Sequence, residues 1–372
     1  MNADVIVVGA GIVGAACAAE LAARGMSVEV IDAHGVGVGA TAAGMGHIVV
    51  MNDSAAEFAL SHLSRTLWLD LAAALRRRDA FSRCGTLWIA EDEEELAAAR
   101  EMRDGLARGG VASHVLDSEA LREAEPAVSH AMHGGLLIED DAVVYAPSAA
   151  QFLLSSSARI RVTLDCRVTR VHAGESHAEV TLANGERRSA SHVVIANGLA
   201  VSDLIDGVPL EPKKGHLLIT DRYPGTIHHQ VLELGYIKSA HHARGTSVAF
   251  NAQARPTGQV FIGSSRQFGT IDPAINMNVL AMMLARATRY LPGIGALNAI
   301  RAWTGFRAAT SDGLPLIGPA RHEHDRVWLA AGHEGLGVTT SLGTAKLLAA
   351  LMFDEPAPLD AAPFSPLRFA YA

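Results

Sequence analysis

The chain has 372 residues, more than one ordinary core holds, which sets an expectation of two or three domains. Apolar residues at 49 % and charged residues at 19 % describe a globular chain and exclude a disordered one. A net charge of -8 and a pI of about 6.1 argue against a broad basic face for nucleic acid. In chain order, DVIVV at residues 4–8 reads as a buried strand. An alanine-rich helix is expected from about Ile12 to Arg24, and SVEVID is the next strand, completing a βαβ unit. The start lacks a basic leader, so its apolar residues read as this unit rather than as a signal peptide. A glycine-rich run, GVGVGATAAGMGHI, follows, and Ser54 to Arg78 carries helical periodicity.

EDEEELAAAREMRDGLARGG is a further helix, with acids leading and bases trailing as the helix dipole prefers. GTLWIA and HGGLLIED bracket it as strands, and PSAAQFLLSSSA is a helix opening on a proline. IRVTLDCRVTRVHAG, SHAEVTLANG and ERRSASHVVIANG are strands, with an Asn-Gly turn. KKGHLLITD, VLELGYIKS and TSVAFNAQARPTGQVFIGSS supply antiparallel strands. INMNVLAMMLARATRYLP is a helix whose Met and Leu spacing reads as core packing. The chain closes on strand, glycine turn and helix, VWLAAGHEGLGVTTSLGTAKLLAALM, which resembles its opening. A nucleotide domain folded from non-contiguous segments is therefore expected.

Cys17, Cys84 and Cys166 lie far apart without a CxxC, so neither an iron–sulfur cluster nor a structural zinc site is expected. A reducing compartment fits, the cytoplasm or its inner-membrane surface. No run of 18 apolar residues lacks charges or breakers, so no membrane-spanning helix is expected. No HExxH occurs among the 17 histidines, and the one HxH, His322 and His324, does not by itself support a metal, so no metal is expected. His228, His229, His241, His242, His322 and His324 sit in polar loops or at strand ends and read as surface residues. His47 and His333 stand within glycine-rich motifs.

Gly9, Gly11 and Gly14 form GxGxxG between a strand and a helix. The first glycine permits a tight turn, the second lets the backbone approach a pyrophosphate, and the third lets helix pack on strand. The helix N-terminus then offers its orphan N–H groups to the phosphates. Asp32 ends the second strand and can accept hydrogen bonds from an adenosine ribose. Its charge disfavours a 2′-phosphate, and so NADP, but does not separate NAD from FAD. Two features favour FAD. Small residues in GATAAGMGHI can wrap a longer cofactor. A second glycine loop opening a helix, AAGHEGLGVTTSLGTAKLL, can aim N–H groups at the O2/N1 edge of a flavin, where the reduced ring carries negative charge.

On VVGAGIVGAACAAELAARG, GATAAGM, VVIANG, WTGFRAATSDGLPLIG and AAGHEGLGVTTSLGTAKLL, the chain resembles the D-amino-acid oxidase superfamily of FAD oxidoreductases. That group holds glycine oxidase, sarcosine oxidase and D-amino-acid dehydrogenases. The resemblance implies an α/β fold: a Rossmann-like FAD domain from non-contiguous segments plus an α+β substrate domain with an antiparallel sheet. The implied segments are 1–80, 144–212 and 296–372 for FAD, and 81–143 and 213–295 for substrate. Ile12 and Val13 would lie at the pyrophosphate, and Asp32 and Ala33 at the ribose. Ala40, Thr41, Ala43, Gly44 and Met45 would run toward the isoalloxazine. Val168 matches the strand whose backbone meets the adenine. His333, Glu334, Gly335, Leu336, Gly337, Val338 and Thr339 would wrap the pyrimidine edge.

Arg307 matches the family arginine that binds the substrate carboxylate, a role suited to a planar, permanently charged fork. The plain alternative is a structural arginine bound to Asp312, itself read as a turn residue, or to nearby backbone. Asn251 aligns with a tyrosine that helps hold the carboxylate, and Arg266 falls at the border of the active site, as a second anchor or a surface group. There are departures: Arg307-Ala308 replaces Arg-Pro, and Gly198 to Ala200 is GLA where relatives have GAW. No cysteine stands at the attachment point of covalent relatives, so FAD is expected to be non-covalent. No catalytic residue is assigned. His333 is a candidate base, but hydride transfer from a neutral amine to flavin N5 needs positioning more than a base.

The implied activity is oxidation of an amino acid, secondary or D-configured, to its imine. The wording GHIVV and GHEGLGVTTSLGTA most resembles dehydrogenases of β-subunit type acting on D-hydroxyproline or proline, with cis-4-hydroxy-D-proline or D-proline as substrate. Electrons would then leave to a partner subunit or a quinone-linked carrier. The alternatives are an oxygen-using oxidase of glycine or sarcosine type, and a flavin-binding subunit serving assembly or tRNA modification.

Overall fold

The computed structural model describes residues 3–75, 81–235, 245–321 and 324–369. His241, His242, His322, the side chain of His324 and the end of the expected strand VLELGYIKS lie outside them. A six-stranded sheet carries the opening unit. Its order is Leu316–Arg321, His324–Ala331, His192–Ile195, Val5–Val8, Val28–Ile31 and Ile160–Thr163, with only the first pair antiparallel. Val5–Val8 is central because both its faces are apolar. Val5 and Val7 join the core under the helices, while Ile6 and Val8 join the core under a three-stranded meander. The helices Ile12–Ala23 and Gly337–Met352 pack on each other over the first face. The meander Val168–Ala173, Ala178–Leu182 and Arg187–Ala190 covers the second. Chain start and chain end therefore share one sheet.

The second sheet has eight strands, in the order Ala299–Ala309, Glu211–Arg222, Gln259–Phe268, Ser247–Ala254, Gln230–Glu233, Thr86–Ala90, Gly134–Ile138 and His114–Asp117. All its pairs are antiparallel except Gln230–Glu233 with Thr86–Ala90. The helix Met277–Tyr290 covers one face, where Tyr290 stacks on Phe250 at 4.8 Å. The expected FAD segment 296–372 differs here. Its strand Ala299–Ala309 pairs with Glu211–Arg222 in the eight-stranded sheet. That register sets Arg307 opposite Lys213 and Gly305 opposite Gly215.

Other local expectations shift for identifiable reasons. The helix after Ser54 spans Ala55–Leu71, shorter than its periodicity, and Ser54 caps it by accepting the Glu57 N–H. IRVTLDCRVTRVHAG breaks at Asp165, which adopts φ +54°, so its two halves enter different sheets. Of the methionines in Met277–Tyr290 only Met283 is core, beside Leu280, while Met277 and Met282 are exposed. His229 is half-buried rather than on the surface, because the buried Glu125 accepts its backbone N–H and lies 3.1 Å from its Nδ1. One helix, Glu334–Met352, does reach the length and mean hydropathy of a membrane span. It is packed between Ile12–Ala23 and Ala55–Leu71, as a core helix is.

A buried ion pair ties the helix Ala55–Leu71 to the strand region. Arg65, 4 % exposed, meets the fully buried Asp141 at 2.9 Å. Burial pushes the Asp141 carboxyl up to about 6 even though Arg65 pulls it down. The pair therefore adds little on balance, but half of it is worse than either whole. Arg65→Met should lower stability by about 3–5 kcal/mol at neutral pH, because it strands a buried carboxylate. Urea unfolding of parent and variant checks this, and a difference under about 1 kcal/mol would contradict it.

Candidate active site

The first strand ends at Gly9, whose φ of +111° only glycine adopts readily. A Cβ at Gly9 would also stand 2.6 Å from the Ala196 carbonyl oxygen, and one at Gly14 would stand 2.0 Å from that of Gly9. Gly9 thus admits the end of the neighbouring strand, and Gly14 brings the helix onto the first strand. The helix begins with no side-chain cap at Gly11, so its first-turn N–H groups face outward. One of them, on Ile12, donates to Thr41 Oγ1 at 3.0 Å. Asp32 is fixed on both sides: Oδ2 accepts from Ala10 N at 2.7 Å and Oδ1 from His34 N at 2.8 Å.

The segment Ala43–His47 is held by its carbonyls. Trp303 Nε1 donates to Ala43 O at 3.2 Å, and Val144 N to Gly46 O at 2.8 Å. Thr339 Oγ1 donates to His47 O at 2.8 Å. Gln253 Nε2 and Arg255 Nη1 both donate to Met45 O. Arg255 is 5 % exposed and lies over the rings of Phe261 and Tyr145. Burial pulls its guanidinium down to about 10, which still leaves it charged at neutral pH. His47 is held neutral by burial and by Arg255, while the Gln230 amide oxygen meets its Nδ1.

The C-terminal glycine loop places His333 at the foot of the helix Gly337–Met352, which also starts without a side-chain cap. His333 Nε2 lies 3.0 Å from Thr344 Oγ1. Burial pushes this imidazole down to about 4, so it is neutral at pH 7. Stability from that neutral form is fully present above about pH 6.5 and is lost as pH falls through 4. His333→Gln should therefore remove about 2–3 kcal/mol of the acid sensitivity between pH 7 and 4.5. Urea unfolding of the apoprotein at both pH values reads it, and an identical pH difference in parent and variant would contradict it.

Beside the loop stands a charge cluster. Glu334 lies 3.3 Å from Lys213 Nζ and 3.6 Å from Arg266 Nη2. Burial alone would raise its carboxyl, but Arg266, Lys213 and Arg307 outweigh burial and hold it below the usual range. Arg307 Nη1 donates to Ser265 O at 3.1 Å. Gly215 leaves room for this guanidinium, since a Cβ there would stand 2.9 Å from both terminal nitrogens. Asp312 is engaged elsewhere. It pairs with Arg368 at 2.7 Å and accepts from Leu314 N, as a turn residue.

These parts line one cavity of about 1140 Å³. Its lining includes Asp32, residues of the two uncapped helix starts, and Arg307, Arg266 and Asn251. Of the residues singled out from sequence, all line it except Gly14 and Thr339. Gly14 is used in helix–strand contact, and the Thr339 side chain turns to His47 O. Lys213, Glu57, Gln253 and Arg255 were not singled out. Their positions depend on pairing between distant segments, which leaves no local signal along the chain. Ordinary small-molecule pockets hold about 300–1,000 Å³. A larger channel with two uncapped helix starts and a pinned ribose-side carboxylate fits a dinucleotide with a substrate beside it.

The family described as FAD dependent oxidoreductase, DAO, matches residues 4–351. Hydrogen cyanide synthase subunit HcnC of Pseudomonas aeruginosa is 27 % identical, covering 98 % of this chain and 96 % of that protein. The crystal structure of glycine oxidase from Geobacillus kaustophilus superimposes with a TM-score of 0.88 at 26 % identity, over 100 % of both chains. L-proline dehydrogenase from P. horikoshii shares the fold, with a TM-score of 0.84 at 22 % identity over 99 % of this chain and 98 % of that one. With nearly the whole chain matched, from the cradle at Gly9 to the C-terminal helix, this protein belongs to the DAO family of FAD-dependent oxidoreductases.

Proposed function

We propose that the chain oxidises an amino acid at its CH–NH or CH–NH2 group, with Arg307 as the carboxylate clamp. The observation that carries this is Arg307 itself: a guanidinium oriented by Ser265 O, given room by Gly215, and lining the cavity. The similarity to a glycine oxidase supports an amino-acid substrate. Asn251 lines the same cavity, is 8 % exposed, and leaves its amide oxygen without a protein partner. It would orient the bound substrate. Bound FAD would accept the hydride released from the substrate α-carbon. Ile12 and Val13 would hold its pyrophosphate, Asp32 and Ala33 its ribose, and Val168 its adenine. The loop Ala40–Met45 and the turn His333–Thr339 would hold its ring. His333 is neutral and turned toward Thr344, so its part is structural.

The finer reading is a secondary, cyclic substrate. A ring amine fixes its Cα–H and loses less entropy on positioning. Cis-4-hydroxy-D-proline is the first to try and D-proline the second. Electrons would leave to a partner subunit or carrier, a reading supported by a relative that is itself a subunit. The test is a panel of D- and L-amino acids with a dye acceptor, following flavin absorbance. Flavin reduction by D-proline analogues with slow reoxidation by air is expected. Rapid peroxide formation with glycine or sarcosine, and none with proline analogues, would replace this reading by an oxidase.

A further inference from the structure

We propose that Glu57 is the catalytic base that takes the proton from the substrate's ammonium nitrogen before oxidation. This rests on the amino-acid reading above. Glu57 is the third residue of the helix Ala55–Leu71, and its backbone is fixed by Ser54 Oγ at 3.1 Å. Its carboxylate accepts a hydrogen bond from the Asp53 backbone N–H. The other oxygen, Oε2, is buried and has no protein partner. Glu57 lines the same cavity as Arg307, Asn251 and Arg266. One oxygen is thus anchored, and the other is left for something that enters.

The charged groups facing it come from three segments. Asp53 precedes it on its own segment, Glu334 comes from the turn before the C-terminal helix, and Arg266 from the strand Gln259–Phe268. Lys213 and Arg307 act in turn on Glu334. Burial first, then the Asp53 charge, pushes the Glu57 carboxyl up to about 7. Other candidates do worse. Glu334 is held ionised between cations, and His333 Nε2 is engaged by Thr344. Asp53 is exposed.

The chemistry needs such a group. An ammonium nitrogen has no lone pair to drive hydride from the neighbouring carbon. In the proposed step an N–H bond breaks, its electron pair stays on nitrogen, and the proton forms an O–H bond at Glu57 Oε2. The free amine then gives up the α-hydrogen with two electrons to FAD, and carbon–nitrogen becomes a double bond. Glu57 returns its proton to solvent through the cavity.

The experiment is anaerobic flavin reduction by the best amino-acid substrate, from pH 5.5 to 10, in the parent holoenzyme, Glu57→Gln and Glu57→Asp. In the parent, kcat/KM should rise with a limb near pH 7. In Glu57→Gln that limb should vanish, the rate at pH 7 should fall roughly a hundredfold, and most of it should return near pH 10. Glu57→Asp should keep a limb at reduced rate, which separates lost chemistry from lost folding. A parent-like profile and rate in Glu57→Gln overturns the role of Glu57 and leaves the amino-acid reading standing. If no amino acid reduces the parent's flavin, the reading and the base fall together.

Discussion

Arg307→Ala is expected to cut kcat/KM for amino acids severely while the flavin spectrum stays that of the parent. Removing one partner of a desolvated, hydrogen-bonded charge pair weakens binding by about 2–5 kcal/mol. That corresponds to roughly thirty-fold to several-thousand-fold in kcat/KM. The structure gives the guanidinium a fixed aim, with one Nη held by Ser265 O and the plane lodged against Gly215. Arg307→Lys should recover only part of the loss, because an ammonium carries the charge without the planar fork. Lys213, directly opposite on the neighbouring strand, is already drawn to Glu334 and is poorly placed to substitute. Near-parental kcat/KM in Arg307→Ala would move the clamp elsewhere, with Arg266 the next to test.

Asp32→Ala should act on the cofactor instead. The side chain accepts from Ala10 N and His34 N, so its loss unpairs two backbone donors in the cavity wall proposed to hold the ribose. Loss of a hydrogen bond to a charged acceptor weakens FAD retention by about 1.5–3 kcal/mol. Asp32→Asn keeps one acceptor and should fall between. Titration of the apoprotein with FAD reads both variants, and equal affinity in parent and Asp32→Ala would defeat the assignment. The two experiments separate two roles of one cavity. Asp32 should change cofactor affinity with little effect on substrate once FAD saturates, and Arg307 the reverse.

Sequence and structure carry different shares of this picture. The cradle is legible from residues alone because its parts are local. Gly9, Gly11, Gly14 and Asp32 lie within one βαβ unit, where turn, helix start and strand end follow from backbone sterics and the uncapped N–H groups. The likeness of opening and closing segments likewise foretold that both ends share one sheet, as they do. Arg307 was legible only through resemblance, since one arginine in a strand has no periodic signature.

What surrounds Arg307 was decided by tertiary structure. The strand Ala299–Ala309 joins the sheet of Glu211–Arg222, and that register alone places Lys213 beside it and Gly215 beneath its guanidinium. Arg255 and Gln253 read as ordinary polar residues of a hairpin until folding lays them under the Met45 carbonyl. Glu57 reads as a helix-capping acid until Asp53, Glu334 and Arg266 surround it. The physical reason is the same in each case. Backbone geometry is set by neighbours along the chain, whereas the ionisation and aim of a side chain are set by burial and by charges that only distant strand pairing and helix docking bring within reach.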